Sequence, residues 1–385
     1  METNRPISSD QAKPETSARG ASRAGALRLL LGGPQLKESF ALSMQPALGS
    51  HCLAGLQAAV TALVALPLFQ LSPWPHLSGF AALGAPVALF GRFATGKCRV
   101  LIVLRCVLVQ VCAVFLMSTA SWLVEPPAAR LIILALLSGL LFFVATGAGL
   151  NLPGPLIFVL AASASLDTIS AWEIVFEQTL ATAAVAGLAV LICCVTEIVR
   201  HRPKEEMPGV APLQPLRHRL LVAARVAAGT AAAMLLAYGL NAAHPGWAAV
   251  GVVAVMQGAH LRINMNRAVQ RTIGTACGAL VAWPLLACQP SIWAIILALA
   301  CLMVVTEVVI GWNYALGPLA ITPMALLMSQ LSSPDAITVA AVPERILDTL
   351  LGAVVAIVIA VLYSTFDDRL HLANHHARAG RNADS

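Results

Sequence analysis

Residues 244–288 read HPGWAAVGVVAVMQGAHLRINMNRAVQRTIGTACGALVAWPLLAC: an apolar run, a basic island carrying Arg262, Arg267 and Arg271, and a second apolar run. The apolar residues occupy consecutive positions instead of alternating as in a barrel strand. A run of that kind crosses lipid only as a helix, which satisfies its own backbone groups. Working outward, similar runs recur from Cys52 to Tyr363. A bilayer core needs about 20 apolar residues per helix. The 385 residues are 58% hydrophobic and 11% charged, against roughly 25% charged residues in an ordinary soluble domain. Together these predict an all-α polytopic membrane protein.

Twelve transmembrane helices are predicted, near 52–71, 77–91, 101–123, 130–147, 151–166, 174–196, 220–241, 246–259, 271–288, 291–310, 314–331 and 344–363. The implied organisation is a tail over 1–45, a first six-helix bundle over 46–199, a polar, Pro-rich linker over 200–219, a second six-helix bundle over 220–364 and a tail over 365–385. Residues 1–40 are polar and lack a cleavage-site pattern, so no leader is expected to be removed.

Lys and Arg flanking spans collect on the cytoplasmic side. With this placement the N-terminal tail, the connection after the second span, the linker, the connection after the eighth span and the C-terminal tail hold 22 of the 24 Lys and Arg residues. Only Arg130 and Arg345 fall on the other side, which instead carries Glu125, Asp167, Glu173, Glu177, Asp335, Glu344 and Asp348. The asymmetry predicts cytoplasmic termini and an even number of spans.

That distribution also answers the basic balance of +6. The cations sit at bilayer edges with no aromatic interleaving, so nucleic acid is not the expected partner. The nine cysteines all lie in or beside apolar runs and read as packing residues. His371, His375 and His376 have a spacing that could hold a metal on a helix, but a short His cluster is weak evidence, and no metal or cofactor is expected. No Ser-His-Asp order, phosphate-binding glycine loop or paired catalytic carboxylates stand out, so an enzyme is not expected.

The two apolar halves resemble each other. GLNLPGPLIFVLA, 149–161, aligns with GWNYALGPLAITPMA, 311–325, and LIILALL before the first aligns with AIILALA before the second. Glu177 and Glu344 open the last span of their halves, and Arg92, Lys97 and Arg105 correspond to Arg262, Arg267 and Arg271. Two halves with even span counts enter from the same side, which predicts a parallel repeat of two six-helix bundles with a seam between them. Short or Gly/Pro-broken spans at matching places are the best sequence pointer to a transport site. Here these are the second and eighth spans and the fifth and eleventh.

The candidate substrate contacts are therefore Asn151, Gln257, Trp312, Asn313 and Tyr314, with Arg262 and Arg271 as candidate anion contacts. Arg271 and Arg105 are equally readable as edge anchors whose long side chains reach the headgroups. Gly274 and Gly278 form a small-residue face for a closely packed neighbour. Glu307 is an acid deep in an apolar run, where a charge costs about 2.5–3.5 kcal/mol. It reads either as a proton-coupling group or as a hydrogen-bonded structural acid, and the sequence leaves both open.

The segment 244–282 resembles the fusaric acid resistance protein-like family, related to aromatic acid exporters. The resemblance rests on Trp247, Gln257, Arg262 with Arg267, Gln270 with Arg271, Gly274 with Thr275, and Gly278. It extends over about 220–363, and over the first half only through the repeat. It implies a bacterial inner-membrane efflux component, usually proton-driven, that exports small aromatic or other organic acids. The implied partners are the lipid bilayer, a small organic anion, a periplasmic adaptor with an outer-membrane channel, and further copies of the chain. Many members carry a large soluble region after the first bundle, whereas this linker is about twenty residues long. Alternatives are a non-transporting scaffold for envelope assembly and a passive channel.

Overall fold

The computed structural model describes residues 22–33, 35, 39, 48–94, 96–150, 153–198, 214–258, 260–332 and 339–383. Most of the expected N-terminal tail, residues 199–213 of the linker region, Asn151 and Asp335 lie outside them. The described residues form fourteen α-helices and no strands. In the first half these are α1 (Arg23–Leu30), α2 (Leu48–Leu71), α3 (Ser78–Gly84), α4 (Gly96–Leu123), α5 (Pro127–Gly147), α6 (Pro155–Ser163) and α7 (Trp172–Thr196). The second half gives α8 (Leu216–Gly239), α9 (Gly246–Met256), α10 (Leu261–Ala287), α11 (Ile292–Trp312), α12 (Gly317–Ser332) and α13 (Ala341–Leu362), followed by α14 (Phe366–Ala383).

Every apolar stretch predicted to span is helical, but the helices fall into two classes. Seven are long and apolar enough to cross a membrane: α2, α4, α5, α7, α8, α11 and α13. α9, with 11 residues, and α6, with 9, rise only about 16 and 14 Å at 1.5 Å per residue. α3 is lengthened by a 3-10 turn at each end, Pro75–Leu77 and Ala85–Leu89. α10 has 27 residues, but its first three turns carry Arg262, Arg267 and Arg271. The short elements are those that the sequence marks as short or broken, and they lie inside the bundle: nearly every residue of α3 and α9 is buried.

Local sequence explains the boundaries. Pro127 and Pro155 open α5 and α6, where a missing N–H costs nothing. Ser291 caps α11 by accepting a hydrogen bond from the Ala294 amide. Leucines such as Leu68, Leu108, Leu136, Leu180, Leu280 and Leu297 point outward from the long helices. A soluble protein does not display so much apolar surface; the chain is a multi-pass membrane protein.

Small residues set the closest approaches. A Cβ on Gly84 would lie 2.8 Å from the Ala186 amide, and one on Gly352 would lie 2.5 Å from the Ala248 carbonyl, so α3 on α7 and α9 on α13 pack almost backbone to backbone. Gly274 and Gly278 of α10 face Pro318, Leu319 and Thr322 of α12, as their spacing predicts. The packing is reciprocal between halves: α2 lies on α11 and α8 on α5, α3 touches α12 and α9 touches α6.

Side-chain contacts define two ends. At one end, called here the basic end, α2 begins, α11 finishes, and Arg99 of α4 pairs with Glu197 after α7 at 3.0 Å. At the other, His76 lies 3.4 Å from Glu177 and His244 lies 3.2 Å from Glu344. α14 packs against α1, which places both described termini at one end, and His375 of α14 meets Arg262 at the start of α10.

Candidate functional site

Glu307 is 1% exposed, one and a half turns before the end of α11. Its Oε2 accepts from Arg92 Nη1 at 2.5 Å and lies 3.0 Å from His51 Nδ1, while Arg92 Nη1 and His51 Nδ1 are 2.8 Å apart. The three side chains form one buried cluster assembled from α2, the turn after α3, and α11.

Glycines build it. Gly55 and Gly311 have no side chain where α2 meets α11: a Cβ on Gly55 would lie 2.9 Å from Glu307 Cβ, and one on Gly311 would lie 2.8 Å from the Cβ and Cγ of His51. Removing both side chains lets the helices close until imidazole and carboxylate touch. Gly91, with φ +65°, occupies the left-handed region that side chains disfavour and turns the chain so that Arg92 enters the cluster. Phe93 then packs edge-on against the His51 ring at 5.7 Å.

The cluster can hold a proton in more than one place. His51 Nδ1 either donates to Glu307, which needs a proton on that nitrogen, or accepts from Arg92, which needs the nitrogen free. The two arrangements differ in one proton position while the heavy atoms stay in hydrogen-bond range. His51 Nε2 is buried with no hydrogen-bond partner.

Sequence reasoning singles out Glu307 alone. His51 lies 256 residues away and Arg92 lies 215 away; one stands just before the first predicted span and the other reads as an edge charge. The visible signal was His51 with Gly55 one turn later, a polar and a small residue on the same helix face.

A second feature lies toward the opposite end. A cavity of about 480 Å³ opens between the halves. Its walls include Leu83 of α3, Ser163 of α6, Trp247 of α9 and Ser329 of α12, so all four short elements reach it, with Arg130 and Tyr238 beside them. Arg130 is buried, donates to the Leu166 carbonyl at 2.8 Å, and keeps an unpartnered Nε.

The substrate contacts named from sequence are not gathered there. Gln257 donates weakly to the Pro153 carbonyl at 3.4 Å, beside Gly154, whose φ of +61° starts α6. Arg262 is engaged with His375 at 3.0 Å. Trp312 is 55% exposed on the outside of the bundle. Asn313 is buried, and its Oδ1 accepts from the Ala315 amide, holding its own turn. The Tyr314 side chain lies outside the described residues, as do Asn151 and the His376 side chain. Arg271 does not reach the surface as an edge anchor would: it is 5% exposed, about 15 Å along α10. Arg105, its sequence counterpart, is exposed.

Among the described residues no group of three His, Cys, Asp or Glu side chains could hold a metal ion, and the nine cysteines are free thiols, with Cys106 and Cys193 buried.

Residues 231–359 match the family model described as fusaric acid resistance protein-like. The matched segment contains Trp247, Arg271, Glu307 and Arg345, whereas His51 and Arg92 lie outside it. No curated protein and no solved structure matches the chain.

Proposed function

We propose that this chain is a proton-coupled exporter of small organic anions, aromatic acids foremost, in a bacterial inner membrane. The observation that carries the reading is the seam cavity of about 480 Å³, lined by the short helices of both halves. Substrate sites of repeat-built transporters lie at the repeat interface, on interrupted helices. The fusaric acid resistance family match over residues 231–359 supports membrane export over other uses of a cavity.

In this reading the two halves are parallel repeats of six helical segments each, over 46–199 and 220–364, joined by the linker 200–219. Reciprocal packing of α2 on α11 and α8 on α5 supports the repeat. The basic end faces the cytoplasm under the positive-inside rule, and both termini lie there; the contact of α1 with α14 supports a shared side. A periplasmic adaptor with an outer-membrane channel, or a second copy of the chain, would complete the export route.

Glu307 carries the coupling proton. Its charged form holds Arg92 and His51 and so clamps α2 to α11 across the seam. Protonation removes the acceptor charge, releases the guanidinium, and loosens the contact between halves. Buried intramembrane acids commonly mark proton paths for this reason.

The test is efflux of labelled aromatic acids from energised vesicles. Glu307→Gln should abolish acceleration by a proton gradient. Full transport by that variant, with unchanged gradient dependence, overturns the coupling role; downhill-only flux through the unaltered protein makes the chain a passive channel.

A further inference from the structure

Arg130 stands where the chain keeps few cations. It is one of only two Lys or Arg residues of 24 that charge counting puts away from the basic end, so anchoring on the basic side does not explain it. It is 6% exposed, closes the first turn of α5, and lines the seam cavity. Its Nη1 donates to the Leu166 carbonyl at 2.8 Å, its Nε has no partner, and among the described residues it makes no ion pair. A buried guanidinium held only by a neutral carbonyl is costly to keep, and its remaining donors suit a carboxylate.

The helix that carries Arg130 adds to the same field. α5 has 21 residues, starts at Pro127 on the cavity wall, and has neither a side-chain cap nor an acid in its first turn. Its positive dipole end is uncompensated, and a cation there opposes the helix instead of stabilising it. α9 also starts on the wall, but Glu344 accepts from the His244 amide at 2.7 Å and meets the His244 ring at 3.2 Å, so that helix already has its acid. Among the described residues the wall has one acid, Asp167, and it is exposed. Aligning LIILALL with AIILALA puts Trp293 at the place of Arg130 in the second half; Trp293 is half exposed, and α11 is capped by Ser291. The uncapped helix with its buried cation therefore belongs to one half only.

Resting on the transport reading above, we infer that Arg130, at the open amino end of α5, binds the anionic group of the substrate inside the seam cavity. The site takes one carboxylate per chain, and a monoanion matches its single cation. The aromatic or apolar body of the molecule lies against Leu83, Leu131, Leu160 and Tyr238, which line the same cavity of about 480 Å³, a volume within the range of small-molecule sites. Asp167 opposes the anion and lowers its affinity.

Equilibrium dialysis of radiolabelled benzoate against the purified full-length protein in detergent tests this without any gradient. The expected result is about one benzoate per chain, competed by other aromatic carboxylates and not by benzyl alcohol or benzylamine. Arg130→Gln should bind about tenfold more weakly or worse, as expected for loss of a charge-assisted pair. Asp167→Asn, at an exposed residue, should bind more tightly. Benzoate should raise the melting temperature of the unaltered protein and not that of Arg130→Gln. Equal binding by Arg130→Gln, binding by Asp167→Asn no tighter than by the unaltered protein, or equal competition by benzylamine overturns the assignment, as does absence of benzoate binding to the unaltered protein. If Arg130→Gln does not fold, the Asp167→Asn result decides. Binding that depends on Arg130 in a protein that moves nothing in vesicles would keep the site and remove the transport reading; gradient-driven transport with Arg130-independent binding would do the reverse.

Discussion

Removing Arg92 tests whether the cluster is held as a buried ion pair. In Arg92→Met the Glu307 carboxylate, 1% exposed, loses the guanidinium at 2.5 Å and keeps only His51 at 3.0 Å. Breaking a buried pair from one side costs about 3–5 kcal/mol, because the remaining charge is stranded. Glu307→Gln is milder, because Arg92 keeps His51 Nδ1 at 2.8 Å as an acceptor; losing a hydrogen bond to a charged group costs about 1.5–3 kcal/mol. The double variant replaces both charges and is expected to be at least about 2 kcal/mol more stable than Arg92→Met alone. Denaturant midpoints in detergent micelles, with Glu307→Gln completing the cycle, give the coupling energy. Arg92→Met within about 0.5 kcal/mol of the unaltered protein, or losses that add within about 0.5 kcal/mol, would refute the reasoning.

Gly311→Ala places a methyl 2.8 Å from the His51 ring; overpacking should cost about 1–3 kcal/mol, read from the same midpoints, and slow gradient-driven efflux by parting His51 from Glu307. Ser163→Trp fills the seam cavity from the α6 side and should stop efflux while membrane abundance, read by immunoblot, stays unchanged; normal efflux would place the path elsewhere. In single-cysteine proteins a membrane-impermeant maleimide added to spheroplasts should label exposed Cys288, just beyond α10, and spare exposed Cys98 at the start of α4. The reverse pattern would invert the proposed topology.

Much of the architecture can be read from the chain because lipid imposes one rule along its whole length. Apolar runs become helices wherever they occur, and Gly and Pro mark where they break. The shortness of α3 and α9, the Gly/Pro break at the start of α6 and the close face of Gly274 and Gly278 were visible for that reason. Site residues were legible only when they violated the rule: Glu307 stands out as an acid in an apolar run. His51 and Arg92 violate nothing, since a polar residue near a helix start and an arginine after a span are ordinary at a membrane edge. Charge counting likewise puts Arg271 and Arg345 on opposite sides. It treats each arginine as a point in sequence, whereas α10 carries Arg271 about 15 Å inward, within range of Arg345.

By itself, the sequence determined that the chain is helical and membrane-embedded and where its helices break, because these follow from local composition and the energetics of burying backbone in lipid. Only the tertiary structure decided which charges meet. Packing of α2 on α11 gave Glu307 its partners, and packing of α10 beside α13 brought Arg271 within range of Arg345. The Glu307 cluster depends on glycine contacts between segments 256 residues apart, and no local pattern encodes the distance between two side chains on different helices.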